Sequence, residues 1–234
     1  MVWWSDQCLS RLSYARGLHR CQEDFEDVSA CFRIILRARE IQPIRSGVVP
    51  SRRARRKDTP IPKASDKYFL TSARLGFRWW SPHDFPFAWS LWGNPQVSRL
   101  IGGPFSESQV ADKLSQEIAY GQSQTIQYWP IFHLATGDFV GCAGLRPYKP
   151  AEEIPELGFH LLPAFWGKGL AEEAARAVIL HAFFTLGAKA SYAGHHQQNH
   201  ASRHILEKLG FTFIGEEFYP PTGLMHPAYL LAPS

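Results

Sequence analysis

Glu156-Leu-Gly-Phe-His-Leu-Leu-Pro-Ala-Phe-Trp166-Gly-Lys-Gly-Leu-Ala-Glu-Glu-Ala174 reads as a strand, a turn and a helix in immediate succession. Residues 154–162 are apolar apart from Glu156 and His160, which suits a buried strand. Pro163 ends it, because proline has no N–H to give to a sheet ladder. Gly167 and Gly169 bracket Lys168 in a tight turn. Beyond Gly169 the spacing becomes helical: Leu170, Ala171, Ala174, Ala175, Val178 and Ala182 share one arc, with Glu172, Glu173 and Arg176 opposite. Leu180 and Phe183 interrupt the polar side, so the second half of this helix is expected to be covered. A glycine turn that opens a helix leaves free N–H groups at a positive dipole end, a geometry that suits phosphate. An ordinary strand-to-helix turn without a ligand has the same spacing, so the glycines alone do not choose between the two.

A second block lies downstream, Asn199-His-Ala-Ser202-Arg-His-Ile-Leu-Glu-Lys-Leu-Gly210-Phe211. Asn199 is a helix cap and Gly210 a left-handed helix end. The two blocks, in this order and spacing, resemble the GNAT acyltransferases, and within them the RimJ/RimL-like branch. The resemblance runs from about Phe69 to the end of the chain. Trp166 stands where the wider superfamily carries Gln or Arg; the RimJ/RimL-like branch commonly reads F-W-G-K-G there. The resemblance implies a mixed α+β GNAT fold, with a central, mostly antiparallel twisted sheet and helices on both faces. It implies acetyl-coenzyme A as acyl donor and a primary amine as acceptor, either a protein N-terminus or a small molecule, attacking directly in a ternary complex. By the same resemblance, Trp166, Gly167, Lys168, Gly169, Leu170 and Ala171 form the pyrophosphate loop. Main-chain amides near Phe159 to Leu161 receive the thioester carbonyl, His160, Leu161 and Leu162 count among the cofactor contacts, and Asn199 and Ser202 lie beside the pantetheine arm.

Acyl transfer from a thioester needs alignment first, since holding amine and carbonyl together supplies about 7–11 kcal/mol. A general base adds about 10²–10⁴-fold. Glu156 is the candidate base: a carboxylate in an apolar strand is costly unless paired or functional, and burial raises its pKa toward a useful range. An arginine partner, or a place at a strand edge, would explain it equally without catalysis. Strand alternation puts His160 on the face of Glu156 and Gly158, as an acceptor-pocket wall or a satisfied core histidine. Many GNAT members carry a tyrosine acid a little after the Asn199 position. Here Ile205 and Leu206 follow, so Ser202 inherits the role of protonating the departing thiolate. His195, His196, His200 and His204 have no carboxylate or cysteine completing a metal set, and no metal is expected.

The 234 residues are 45% hydrophobic, enough for a sizeable core, and carry a formal charge of +4. Much of the excess sits in Arg52, Arg53, Arg55, Arg56 and Lys57, so net charge does not argue for nucleic acid. The run reads as a solvated tether, with RNA or acidic lipid as the competing partner. No 18-residue apolar run or signal-peptide pattern is present, and Cys8, Cys21, Cys31 and Cys142 show no CxxC pair. A cytoplasmic protein with reduced thiols, monomeric or homodimeric, is expected. Residues 1–66 read as an extension outside the family pattern, with an amphipathic helix at about 23–40 and a Pro/Ser/Arg linker over 43–62. The domain proper is expected over 67–234, in the order β-α-α-β-β-β-α-β-α-β-β. Its early elements are a strand over 75–79 and helices over 81–92 and 107–119. A coenzyme A sensor of the same fold, without turnover, is the competing function.

Overall fold

The computed structural model describes residues 67–233. The expected helix at 23–40, the linker and the basic run lie outside the described residues. The sheet begins with a short hairpin of β1 (Leu70–Thr71) and β2 (Leu75–Phe77). The first of these is too short to leave a periodic signal. Ser81 and Pro82 open a helical segment as expected, a single 3-10 turn over Pro82–Asp84 and then α1 (Phe85–Trp92). Asp84 holds that turn: its Oδ2 accepts from the Ser81 N–H and hydroxyl at 2.8 and 2.9 Å, and Arg78 grips the carboxylate at 2.7 and 2.6 Å.

Asn94 breaks α1 but also caps a further turn, α2 (Pro95–Ser98), accepting from the Gln96 N–H at 2.9 Å. α3 (Glu107–Gln124) starts on Ser106 and runs past the expected end near residue 119. β3 (Tyr128–His133) and β4 (Phe139–Lys149) form the expected hairpin. β4 outlasts its expected end at Leu145 because its far half pairs with β5 (Ile154–Leu161) instead of β3. α4 (Leu170–Phe184), β6 (Ser191–Gly194), α5 (His200–Lys208), β7 (Thr212–Tyr219) and β8 (Leu224–Leu231) complete the order.

The eight strands lie in the order β1-β2-β3-β4-β5-β6-β8-β7, and every neighbouring pair is antiparallel except β5 with β6. Side-chain alternation divides the apolar residues between two faces. Trp129, Ile131, Ala143 and Leu157 pack under Leu170, Ala174 and Val178 of α4 and Leu206 of α5. Tyr128, Phe132 and Cys142 pack under Ala88 and Leu91 of α1 and Val110 and Leu114 of α3. Phe183 is covered as expected, but Leu180 is 47% exposed: α4 keeps only one side on the sheet.

Glu117 of α3 is fully buried. Its Oε2 accepts from the Tyr128 N–H at 2.7 Å, and its Oε1 receives the Arg146 guanidinium of β4, with Nε at 2.8 Å. The guanidinium carbon lies 4.1 Å above the Tyr128 ring. Helix, two strands and an aromatic ring thus meet at one ion pair. Removing one partner of such a pair costs about 3–5 kcal/mol, because the other charge stays buried. Glu117→Ala is expected to lower unfolding free energy by that amount in urea titration, and Glu117→Leu combined with Arg146→Met to recover most of it. Equal losses in the single and double variants would contradict this account.

Candidate active-site cleft

β5 is paired along its length with β4 but meets β6 only at Glu156 opposite Tyr192. Beyond that point the strands part. The Leu162 N–H donates to the Val140 carbonyl at 3.0 Å, which fixes the alternation of the β4–β5 ladder. Glu156, Gly158 and His160 therefore turn their N–H groups to β4, and Phe159 and Leu161 turn theirs into the gap. Of the expected cofactor contacts on this strand, the Leu162 amide is spent on the sheet. The Leu161 side chain is core, and its carbonyl accepts from the Trp166 indole at 2.7 Å.

Glu156, His160, Asn199 and Ser202 all line this one cleft, together with Trp92, Phe218 and Tyr219. Glu156 sits opposite Arg146 across the β4–β5 ladder but forms no ion pair, because the guanidinium is committed to Glu117. Burial raises its pKa above the ordinary glutamate range; Arg146 and a hydrogen bond from Tyr128 oppose the rise without cancelling it. The Tyr128 ring lies across the strand at Gly158, where a Cβ would collide with it, and reaches the His160 ring at 5.7 Å between centroids. Trp92 donates its indole N–H to His160 Nδ1 at 3.2 Å. An indole only donates, so Nδ1 is the acceptor and the proton of the neutral ring sits on Nε2. Burial, with help from Arg146, pushes this imidazole down to about 3, so it is neutral at physiological pH.

On the opposite wall, Asn199 caps α5 by accepting from the Ser202 N–H at 3.2 Å. The Ser202 hydroxyl has no hydrogen-bond partner among the described residues. At the mouth, Tyr148 and Tyr192 stack 3.9 Å apart, and the Tyr148 hydroxyl donates to Glu217 Oε1 at 2.6 Å.

The loop of Trp166, Gly167, Lys168 and Gly169 stands apart from the cleft wall, at the start of α4. Gly167 and Gly169 have φ of 71° and 72°, a left-handed conformation that suits glycine. No protein atom lies within 4 Å of a Cβ built on Gly167, and only Arg74 Nη2 at 3.7 Å for Gly169, so the space above the loop is open. None of the N–H groups from Gly167 to Glu172, those of Leu170 and Ala171 included, finds an acceptor among the described residues. The loop is braced from outside: Arg74 donates to the Lys168 carbonyl at 3.1 Å and to Glu173 at 2.6 Å. This nest fits a diphosphate, whose oxygens would take the unspent donors.

Sequence reasoning missed Arg74, which acts on residues far along the chain, and also Lys113, Tyr148, Tyr192 and Glu217. Glu217 had a signal, since it is a carboxylate in a closing strand rich in aromatics. The histidines show no metal arrangement: His195 meets the His196 carbonyl at 2.9 Å and the Tyr229 hydroxyl at 3.3 Å. Among the described residues no three His, Cys, Asp or Glu side chains converge on a metal position. No helix among them is long and apolar enough to cross a membrane.

Residues 74–212 match the family model described as an acetyltransferase (GNAT) domain. The FsC-acetyl coenzyme A-N(2)-transacetylase of Aspergillus fumigatus is 30% identical over 153 residues, 59% of this chain and 64% of that protein, so the chain spans less than two thirds of that relative's length. An acetyltransferase structure from Agrobacterium tumefaciens superposes with a TM-score of 0.61 at 25% identity, covering 70% of this chain and 94% of that one. The ribosomal-protein alpha-N-acetyltransferase RimL shares the fold, with a TM-score of 0.60 at 17% identity over 69% of this chain and 92% of its own. With that family model matching more than half its length, the chain, with its divided sheet and the unspent amides at its glycine loop, belongs to the GNAT family of acetyl-coenzyme A-dependent acyltransferases.

Proposed function

We propose that the chain is an N-acetyltransferase of the RimJ/RimL-like branch that acetylates a primary amine, a protein N-terminus or a small molecule. The observation that carries this reading is the carboxylate of Glu156, half-buried and without an ion pair among the described residues, at the last point where β5 and β6 touch. Directly beyond it, Phe159 and Leu161 aim unspent amides into the gap. The names of the relatives point the same way, since the fungal enzyme transfers to an N(2) nitrogen and RimL to an alpha nitrogen.

In this reading the amides of residues 167–172 hold the donor's diphosphate, and Asn199 and Ser202 line its arm. The amides of Phe159 and Leu161 polarise the acyl carbonyl; such donors stabilise developing negative charge where water is excluded. Glu156 takes the proton of the incoming ammonium, directly or through one water. The amine nitrogen then bonds to the carbonyl carbon, the carbon–sulfur bond breaks, and the Ser202 hydroxyl gives its proton to the thiolate while the second proton leaving the nitrogen, relayed through water, restores the hydroxyl. His160 contributes shape and an Nε2–H donor, and no base.

Glu156→Gln is expected to lower kcat/KM by about 10²–10⁴-fold while acetyl-coenzyme A affinity by calorimetry stays within a few-fold. A parent protein that binds acetyl-coenzyme A but acetylates no amine would instead favour the sensor reading. The pH profile supplies a second check. A raised carboxyl pKa means the base is protonated, and activity falls, already above the ordinary glutamate value of about 4.3. The acid limb of kcat/KM should therefore lie above that value and vanish in Glu156→Gln. The stability sign runs opposite to a stabilising ion pair. A carboxyl raised on folding costs stability above its unfolded pKa, so Glu156→Gln should be neutral to stabilising in thermal melts at pH 7.

The loop has its own test. Gly169→Val forces a β-branched residue to positive φ and sets side-chain atoms over the nest. Losing one charge-assisted contact of about 1.5–3 kcal/mol weakens binding by about 10–100-fold. Calorimetry should show that loss for acetyl-coenzyme A, and undiminished affinity would remove the loop from the binding site.

A further inference from the structure

The cleft holds charges that the protein does not neutralise. Lys113 of α3 lines it without a salt bridge or hydrogen bond to any described residue. Its natural helical partner one turn on, Glu117, is fully committed to Arg146 and the Tyr128 amide. The Lys113 ammonium rests instead 4.4 Å over the Phe105 ring, which positions the charge without cancelling it. Burial, and then Arg146, lowers its pKa, which marks a cation short of a counter-ion. Glu156 and Glu217 line the same cleft, neither with an ion pair among the described residues, and Glu217 is met only by the tyrosine hydroxyls of Tyr148, at 2.6 Å, and Tyr192. The space between them is walled by aromatic rings, among them Trp92 and Tyr219.

An unpaired charge in a partly dry cleft costs free energy until a ligand supplies the opposite charge. One unmatched cation on the helix wall and two unmatched carboxylates on the strand walls form the complement of a molecule that bears both signs. We propose that the acceptor is a primary amine that also carries a carboxylate, seated with its carboxylate on Lys113 and its amine toward Glu156. This rests on the acyl-transfer reading above and narrows it to amphoteric amines. Glu217 orients the ammonium before Glu156 takes its proton. The chemistry is shared by a free amino acid and by a peptide with an acidic group near its N-terminus.

The test compares kcat/KM for each acid with that for its carboxamide, in two arms, a free α-amino acid and a short peptide beginning with aspartate. The parent protein is expected to favour the acid over the amide by roughly 10–100-fold, the worth of one charge-assisted contact. In Lys113→Met and Lys113→Gln the ratio should fall toward one, and in Lys113→Arg most of it should persist. Because the ratio is taken within each variant, a partial loss of folded protein cancels. Preference in the amino-acid arm alone identifies a small-molecule acceptor and in the peptide arm alone a protein N-terminus; either supports the proposal. A parent ratio near one, or a ratio unmoved by Lys113→Met, overturns it while leaving acyl transfer intact. Bound acetyl-coenzyme A with no amine of any kind acetylated overturns both.

Discussion

The parting of β5 from β6 is the constraint on which the rest of the molecule depends. A strand inside a sheet normally spends its main-chain donors on both neighbours, and leaving them unspent in a closed interior is costly. Here β5 satisfies one edge on β4 and gives up the other after a single residue pair, Glu156 with Tyr192. Neither half of the sheet can close the gap. β6 is only Ser191–Gly194 before the chain leaves for the Asn199 cap, and its other edge is held by β8. β5 is held by its full ladder to β4. The helices follow the same division: α4 covers the β4–β5 side and α5 covers the far side, with Lys208 reaching Glu172 at 2.7 Å between them. The gap is thus built into the pairing and does not rely on any one loop.

What makes the gap chemically useful is how Arg146 is disposed of. The ladder places it opposite Glu156, and a free guanidinium there would hold that carboxyl well down. Glu117 removes this possibility by taking Arg146 first, from a helix on the same face as Tyr128. Glu156 is then left with burial as its largest influence, and burial favours the protonated form. Burial, then Arg146 and Lys113, holds the neighbouring His160 neutral, and Trp92 fixes its tautomer by donating to Nδ1, so burial leaves both titratable neighbours on this strand face favouring their uncharged forms.

The sequence made legible what is local or periodic. The strand at 154–162, the helix opening at Gly169, the Asn199 cap and the closing hairpin all carry their own turn or capping chemistry, and each is in place within a residue or two. The shared face of Glu156 and His160 also followed from alternation alone. Less legible was whatever is decided across the sheet. β4 is long because of β5, and Leu180 is exposed because α4 has one neighbour, not two. α2 hides behind an Asn-Pro pair that reads as a plain break. In the site, Glu117 looked like any surface carboxylate of an amphipathic helix, and nothing near it in the chain announces Arg146, Tyr128 or their effect on Glu156. Arg74 and Lys113 were invisible for the same reason, since their significance lies in which distant groups they meet or fail to meet.

That failure to meet is itself informative when set against the surface. Outside the cleft, surface charges are often paired: Arg74 with Glu173, Arg176 and Lys208 with Glu172, Arg203 with Glu207. Exposed pairs of this kind contribute little stability, so pairing there is close to optional. Inside the cleft, where an opposite charge would relieve more desolvation, Lys113, Glu156 and Glu217 lack an ionic partner among the described residues. The two fully covered carboxylates, Asp84 and Glu117, are paired with Arg78 and Arg146, so the unmatched groups are confined to the half-buried wall of the cleft. Leaving them unmatched gives up folding free energy at the one place where a ligand can return it. The unpaired set therefore reads as the imprint of a charged substrate and not as a defect in packing.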